Sequence, residues 1–138
     1  MAYPQVSFSN TDALLTITTA LPTQGNTVNS ASIDLGIANP AIAGTNCDLV
    51  INAPDGAALT TGQTLTLTIQ DSADNSSFTA VAGFSGYIVT GVSNLVPVGS
   101  SRTVRLPPIV RRYIRVVCAA SATAGTSASN SFVFSLLT

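Results

Sequence analysis

The sequence contains no lysine, glutamate, histidine or tryptophan, and each absence excludes a class of chemistry. Without the first three, the chain lacks the side chains that most often act as general acids and bases near neutral pH, and also Schiff-base lysines and histidine metal ligands. Asp and Arg supply every charge, and charged residues make up only 8% of the 138. We therefore predict that the protein is not an enzyme.

Long apolar runs are missing as well. No stretch of eighteen or more apolar residues suggests a membrane span, and the first residues lack the basic and apolar regions of a signal peptide, so we expect synthesis and folding in a cytoplasm. The composition is 46% hydrophobic with a net charge of −1, which excludes disorder, and the length suits one domain.

Hydroxyl side chains take the place of the missing charges. Thr and Ser make up about a quarter of the chain, which favours strands over helices. The clearest strand is Thr64 to Gln70, where Leu and Ile alternate strictly with polar residues. About eight such segments, separated by turn signals, predict an all-β fold, an antiparallel jelly-roll-like β-sandwich of about eight strands with an extended N-terminal arm.

The two ends of the chain differ from its middle. Residues 1–29 are predicted to form an arm or an edge strand, and residues 30–138 a single sandwich domain. The segment Ser131 to Leu137 is apolar on both faces, which is unusual for an exposed strand, so we expect another chain to cover part of it.

Two features could suggest metal or thiol chemistry. The segment Asp71 to Ser76 could be a calcium loop, but it lacks the bidentate Glu of such loops, and a turn whose Asp and Asn side chains cap backbone amides is favoured. Cys47 and Cys118 could form one disulfide or remain reduced in the core; cytoplasmic synthesis favours the reduced form.

All five arginines lie within fourteen residues, from Arg102 to Arg115. Nucleic-acid binding normally needs a broader basic face, so pairing with Asp residues or with a protein partner is the better interpretation. No nucleic-acid and no membrane partner is predicted.

Three stretches of sequence, LTLTIQDSADNSSFTAV, LPPIVRRYIRVVCAAS and ATAGTSASNSFVFSLL, together resemble the capsid cement, or decoration, proteins of tailed bacteriophages, the family typified by the Bordetella phage cement protein. The resemblance covers about residues 30–138. The residues that carry it are Gln70, Ser72, Asp74, Phe78, Pro107, Arg112, Tyr113, Ile114 and Arg115.

This resemblance implies a structural virion protein without cofactors. Such a protein would bind the outer surface of the mature head, clamp neighbouring major capsid subunits against DNA pressure, and assemble in the host bacterial cytoplasm as a homo-oligomer, a dimer or a trimer on capsid symmetry axes. The N-terminal arm would lie along the capsid or a neighbouring copy. The candidate interface residues are Tyr3, Phe8, Leu14, Leu15, Arg102, Arg105, Phe132 and Phe134.

The remaining arginines have a different expected role. Arg112 and Arg115 flank Tyr113, and we expect them to stabilise the fold by bonding the turn from Asp71 to Asp74.

The same stretches of sequence also resemble discoidin-type galactose-binding sandwiches. The alternative function is therefore a carbohydrate-binding module that meets host surface glycans, or a head or tail fibre accessory domain on the virion surface. The absence of tryptophan argues against a sugar-stacking site.

Overall fold

The computed structural model describes residues 11–36 and 47–137, and of residues 11–14 the backbone only. Strands and turns account for the secondary structure of these residues, with no helix among them that could cross a membrane. The strands are β1 Thr11–Ala20, β2 Thr27–Asn29, β3 Ile33–Asp34, β4 Asp48–Asn52, β5 Thr64–Ser72, β6 Thr79–Ala80, β7 Tyr87–Thr90, β8 Ser101–Arg105, β9 Tyr113–Ala120 and β10 Ser131–Leu137.

The strands form two antiparallel sheets. The first has the order β1-β10-β4-β8, and we call it sheet A; the second, sheet B, has the order β2-β9-β5-β6, with β3 also on β9 and β7 also on β5. Many pairings join strands from the two halves of the chain: β1 pairs with β10, β2 and β3 with β9, β4 with β8 and β10, and β5 with β9 as well as with β6 and β7. Two antiparallel sheets confirm the predicted all-β sandwich.

Strict alternation in the sequence produces the core. Along β5, Leu65, Leu67 and Ile69 are buried while the threonines between them are half-exposed. Alternate residues of β4, β9 and β10 meet them from the other strands, so that the apolar faces of both sheets are removed from water.

Strand β10 corrects two predictions. Phe132 and Phe134 are fully buried in the core, so their rings cannot contact a partner of the folded domain. The strand is apolar on both faces because it lies inside sheet A, between β1 and β4, where Val133 and Leu137 are half-buried by neighbouring strands. No second chain is needed to explain its composition.

The described part of the predicted N-terminal arm is an edge strand of the sandwich. β1 pairs with β10 from Ala20 back to Thr11, with an irregular register in between, and Leu21 is buried. β2 then joins sheet B beside β9. Residues 11–29 are therefore part of the sandwich, and the boundary expected at residue 30 does not separate them from it.

Candidate interaction surfaces

The predicted interface residues that the structure describes do not come together at one place. Tyr3 and Phe8 lie outside the described residues, as does the side chain of Leu14. Leu15 is half-buried against the core. Arg102 and Arg105, on the edge strand β8, are exposed and remain candidates for contact with a partner.

Arg105 already has a partner within the chain. Its Nε lies 3.0 Å from Oδ1 of Asp48, the residue directly opposite it on β4, and the hydrogen bond to this carboxylate raises the pKa of the guanidinium. The Arg105 side chain is 67% exposed, and ion pairs of this kind contribute little to stability.

Arg102 differs from Arg105 in both orientation and pairing. It is opposite Ile51 and on the same face of β8 as Val104, which packs against the core, so it lies at the inner rim of sheet A. Within the described part of the chain it forms no ion pair. A charge at this position also discourages unwanted pairing along the edge of β8 that no described strand covers.

Among the five arginines, Arg111 makes the most hydrogen bonds within the chain. Its backbone N–H donates to Oδ2 of Asp71 at 2.9 Å, and its Nε and Nη2 donate to Oδ1 at 2.9 and 2.6 Å. Nη2 also donates to the Asp71 carbonyl and to the hydroxyl of Thr79. Because Asp71 is only 6% exposed, this contact fastens the end of β5 to the segment that enters β9.

The other two arginines have partners that the sequence did not indicate. Arg112 forms a bidentate pair with Asp34, with both distances at 2.8 Å, and this contact, with the Gly36 amide, holds the Asp34 pKa below its usual range. Arg115 donates twice to Oε1 of Gln70 and lies 4.1 Å from the ring centre of Phe78. The expectation that Arg112 and Arg115 bond the Asp71 to Asp74 turn is wrong, because Arg111 takes that role.

The turn after β5 is a capped turn, as predicted. Oδ1 of Asp74 accepts hydrogen bonds from the Ser72 hydroxyl at 2.7 Å and from the backbone N–H groups of Ser76 and Ser77 at 3.0 and 2.9 Å. The two backbone donors are the main reason that the pKa of Asp74 is lowered. The carboxylate therefore has a structural role in the turn.

The cysteines lie in the core as free thiols. Cys47 and Cys118 are both buried, and burial raises the pKa of both, that of Cys118 to about 12. Thiols of this kind are poor nucleophiles because the thiolate is scarce near neutral pH.

Sequence reasoning missed a set of exposed apolar side chains. These are Ile88, Val92, Leu95, Val98 and Ile109. Val92 and Leu95 flank the dipeptide Ser93-Asn94, and a polar dipeptide between apolar residues is a signal for a two-residue hairpin, which could have revealed that the two side chains lie together.

Comparison with known proteins gives one family and several distant folds. The model of the Bbp16 family, a family of the Bordetella phage type, matches residues 17–132, from the second half of β1 into β10. No curated protein matches the chain.

The solved structures that resemble the chain are distant. A structure of infectious bursal disease virus, Gx strain, is 18% identical, with 94% of this chain and 30% of that chain covered and a TM-score of 0.38. A VP2 subviral particle of the same virus is 18% identical, with 94% of this chain and 29% of that chain covered and a TM-score of 0.36. A xylanase 10B with CBM22-1 and GH10 modules from Clostridium thermocellum is 12% identical, with 93% of this chain and 25% of that chain covered and a TM-score of 0.32. The chain thus spans less than a third of each, and likenesses this distant indicate neither function nor partner.

Proposed function

The chain belongs to the Bbp16 family, and from this premise we propose that it is a structural protein of a phage virion that binds the outside of the mature head. In this role it clamps neighbouring major capsid subunits and stabilises the expanded shell against DNA pressure, without catalysis or a cofactor. The observation that carries the proposal is the family match, because it covers strands β2 to β9 in full and parts of β1 and β10.

The internal pairing of charges is consistent with a rigid binding part. Arg105, Arg111 and Arg112 are each paired with an Asp of the same chain. Such a domain loses little conformational freedom when it binds, which favours affinity. Arg102 remains available for a carboxylate on the partner.

Stabilisation of the head would follow from linkage. A protein that binds only the expanded lattice adds its binding free energy to that state, and a site filled at 100 times its Kd contributes about 2.7 kcal/mol. If each copy contacts two subunits, or forms a dimer or trimer that does, the second contact strengthens the first through effective concentration.

Nothing in the described residues favours the glycan-binding alternative. Stacking on a sugar needs an exposed aromatic ring, and the aromatic rings among these residues are half-buried or buried. Phe78, for example, is covered by the guanidinium of Arg115.

The proposal is tested by co-sedimentation of the purified protein with heads of the source virus that lack it, in unexpanded and expanded forms. We expect saturable binding to expanded heads alone and a higher temperature of head disruption after decoration. Absence of binding to both forms would refute the proposal and lead to a test against a panel of sugars.

A charge reversal at Arg102 tests its role in this binding. Arg102→Glu should weaken binding to expanded heads at low salt, and the difference from the unsubstituted protein should shrink as salt is raised. Unchanged binding at low salt would remove Arg102 from the interface while leaving the proposed function in place.

A further inference from the structure

The charges of the sandwich are concentrated away from one of its two ends. That end consists of loops 21–26, 53–63, 91–100 and 121–130, and we call it the charge-poor end. It has 22 exposed residues but only one charged side chain, Asp55. A stable protein interface uses about 20–30 residues on each side, so this end alone is large enough for one.

Hydrogen bonds join the four loops into one platform. The amide of Leu21 donates to the Asn130 carbonyl at 2.8 Å, and the amide of Thr60 donates to the Ala124 carbonyl at 2.8 Å. Val96 N–H donates to Ala57 at 2.8 Å, which ties loop 91–100 to loop 53–63. Because the loops support one another, a partner that binds here has little backbone to order.

A tight hairpin projects from this platform. Val92 and Leu95 exchange backbone hydrogen bonds of 3.0 Å, and the two residues between them, Ser93 and Asn94, have φ values of 52° and 62°. This is the geometry of a type I′ turn, which non-glycine residues adopt only at some conformational cost.

The hairpin is held in this conformation from outside. Oδ1 of Asn94 accepts from the amide and hydroxyl of Thr61 at 3.2 and 3.3 Å, and the Asn94 amide donates to the Thr61 hydroxyl at 2.9 Å. Backbone strain that the surroundings maintain in this way is typical of binding and switch regions.

The side chains that the hairpin presents are apolar. Val92 and Leu95 are bridge partners and lie side by side with 59% and 46% of their surfaces exposed, and Val98 in the same loop is 88% exposed. A single exposed Val or Leu is ordinary, but Val92 and Leu95 are neighbours beside the polar residues Ser93 and Asn94, and grouped exposed apolar side chains are candidates for an interaction site.

We propose that the charge-poor end is the surface by which the domain docks on the phage shell, with Val92 and Leu95 entering an uncharged, apolar recess of a shell subunit. This inference rests on the proposed function. The partner surface must lack charge because a charged group buried against this end would find no counter-ion there except Asp55 or Arg102 at its margin.

The shape of the hairpin argues against a second copy of the chain as the occupant. A projecting tip needs a recess, and the described residues form no pocket that could receive it. Two such tips in a symmetric contact would meet over only a few side chains, far fewer than a stable dimer needs.

Arg102 has a defined place in this arrangement. It stands at the start of β8, directly after loop 91–100, and therefore at the margin of the charge-poor end. An apolar centre with a charged residue at the rim is the usual composition of a protein interface.

The test compares two variants in the binding assay with expanded heads. Val92→Ser/Leu95→Ser removes the apolar tip, and Ile109→Ser changes an equally exposed aliphatic residue that lies between β8 and β9, at the opposite end. Since about half of each tip side chain is already buried, we expect the half-saturation concentration of the double variant to rise on the order of 30-fold, and that of Ile109→Ser to change less than twofold.

Each outcome distinguishes the two proposals. If the unsubstituted protein binds heads and the double variant binds equally well, the docking surface is wrong and the proposed function stands. If the unsubstituted protein does not bind, both fail.

Sedimentation velocity on the same proteins tests whether the hairpin contacts a second copy of the chain instead. If the unsubstituted protein is an oligomer that the double substitution converts into monomers, the tip is a contact between copies and the shell assignment is overturned. Thermal unfolding of both variants is the control for folding. Because the replaced side chains are exposed, we expect their Tm values to match that of the unsubstituted protein within a few degrees. A loss of binding at an unchanged Tm is then not a loss of fold.

Discussion

Replacement of Asp71 by Asn should lower the free energy of unfolding by about 3 kcal/mol. Both carboxylate oxygens of Asp71 accept from Arg111, one from the backbone N–H and the other from the guanidinium. An asparagine has one oxygen and one NH₂ group, so in either orientation a donor of Arg111 meets another donor. Because Asp71 is only 6% exposed, water cannot readily replace the lost acceptor.

The lower end of the range for a broken buried pair applies here, because the Arg111 side chain is 35% exposed and can be partly hydrated. With an unfolding entropy of about 2.1 cal/mol/K for each residue, a loss of about 3 kcal/mol corresponds to a fall in Tm of roughly 10 °C. Differential scanning calorimetry or circular dichroism measures it directly.

The matched control is Asp34→Asn. The Asp34–Arg112 pair also has two hydrogen bonds from a guanidinium to a carboxylate, but its side chains are 44% and 45% exposed. Its loss should therefore cost less than about 1 kcal/mol, or about 3 °C. If Asp71→Asn lowers Tm no more than Asp34→Asn does, burial does not set the strength of the Arg111 contact and the reasoning is refuted.

Three further predictions concern acid stability, close packing and the first strand. Asp34 and Asp74 have lowered pKa values in the folded state, so their contribution to stability is present above the ordinary Asp pKa of about 3.9 and is lost as the pH falls below it. The urea midpoint of unfolding should therefore decline below about pH 4, and it should decline less steeply in Asp74→Ala. Equal declines in the two proteins would count against the capping contacts. Gly91→Ala should lower the free energy of unfolding by about 2–3 kcal/mol, because the added Cβ would lie 2.4 Å from the carbonyl oxygens of Leu59 and Thr60. Gly56→Ala, at a position with a positive φ but open space, should lower it by about 1 kcal/mol. Equal urea midpoints for the two variants would contradict this. Deletion of residues 2–20 removes β1 and uncovers the edge of β10, so we expect aggregates in size-exclusion chromatography. Deletion of residues 2–10 leaves every described strand in place and serves as the control. A folded monomer without β1 would show that the strand is dispensable.

Local features of the fold were predictable because neighbouring residues determine them. Strict alternation from Thr64 to Gln70 identified β5 and its buried face, and the Asp and Ser residues after it identified the capped turn at Asp74. The segment Ser131 to Leu137 was likewise predicted as a strand, and it forms β10.

Properties that depend on which strands are neighbours could not be read from the sequence. The pattern placed Phe132 and Phe134 on one face of β10, but only the position of β10 inside sheet A shows that this face is the core. Similarly, Arg111 and Arg112 are adjacent in the chain, and the path from β8 to β9 decides which of them reaches Asp71. The dipeptide Ser93-Asn94 could have indicated the hairpin itself, but not the hydrogen bonds that hold it, because these come from Thr61, 33 residues before Asn94.

The central position of β10 also has a consequence for synthesis. The ribosome makes this strand after the nine other strands of the described residues, yet sheet A needs it between β1 and β4, where Ile17 is paired with Phe134. Until residues 131–137 leave the exit tunnel, β4 can pair with β8, but no strand connects this pair to β1. Pairings of such long sequence separation form slowly, so the nascent chain must wait, with its apolar strands accessible to chaperones, and complete the sandwich in one late step.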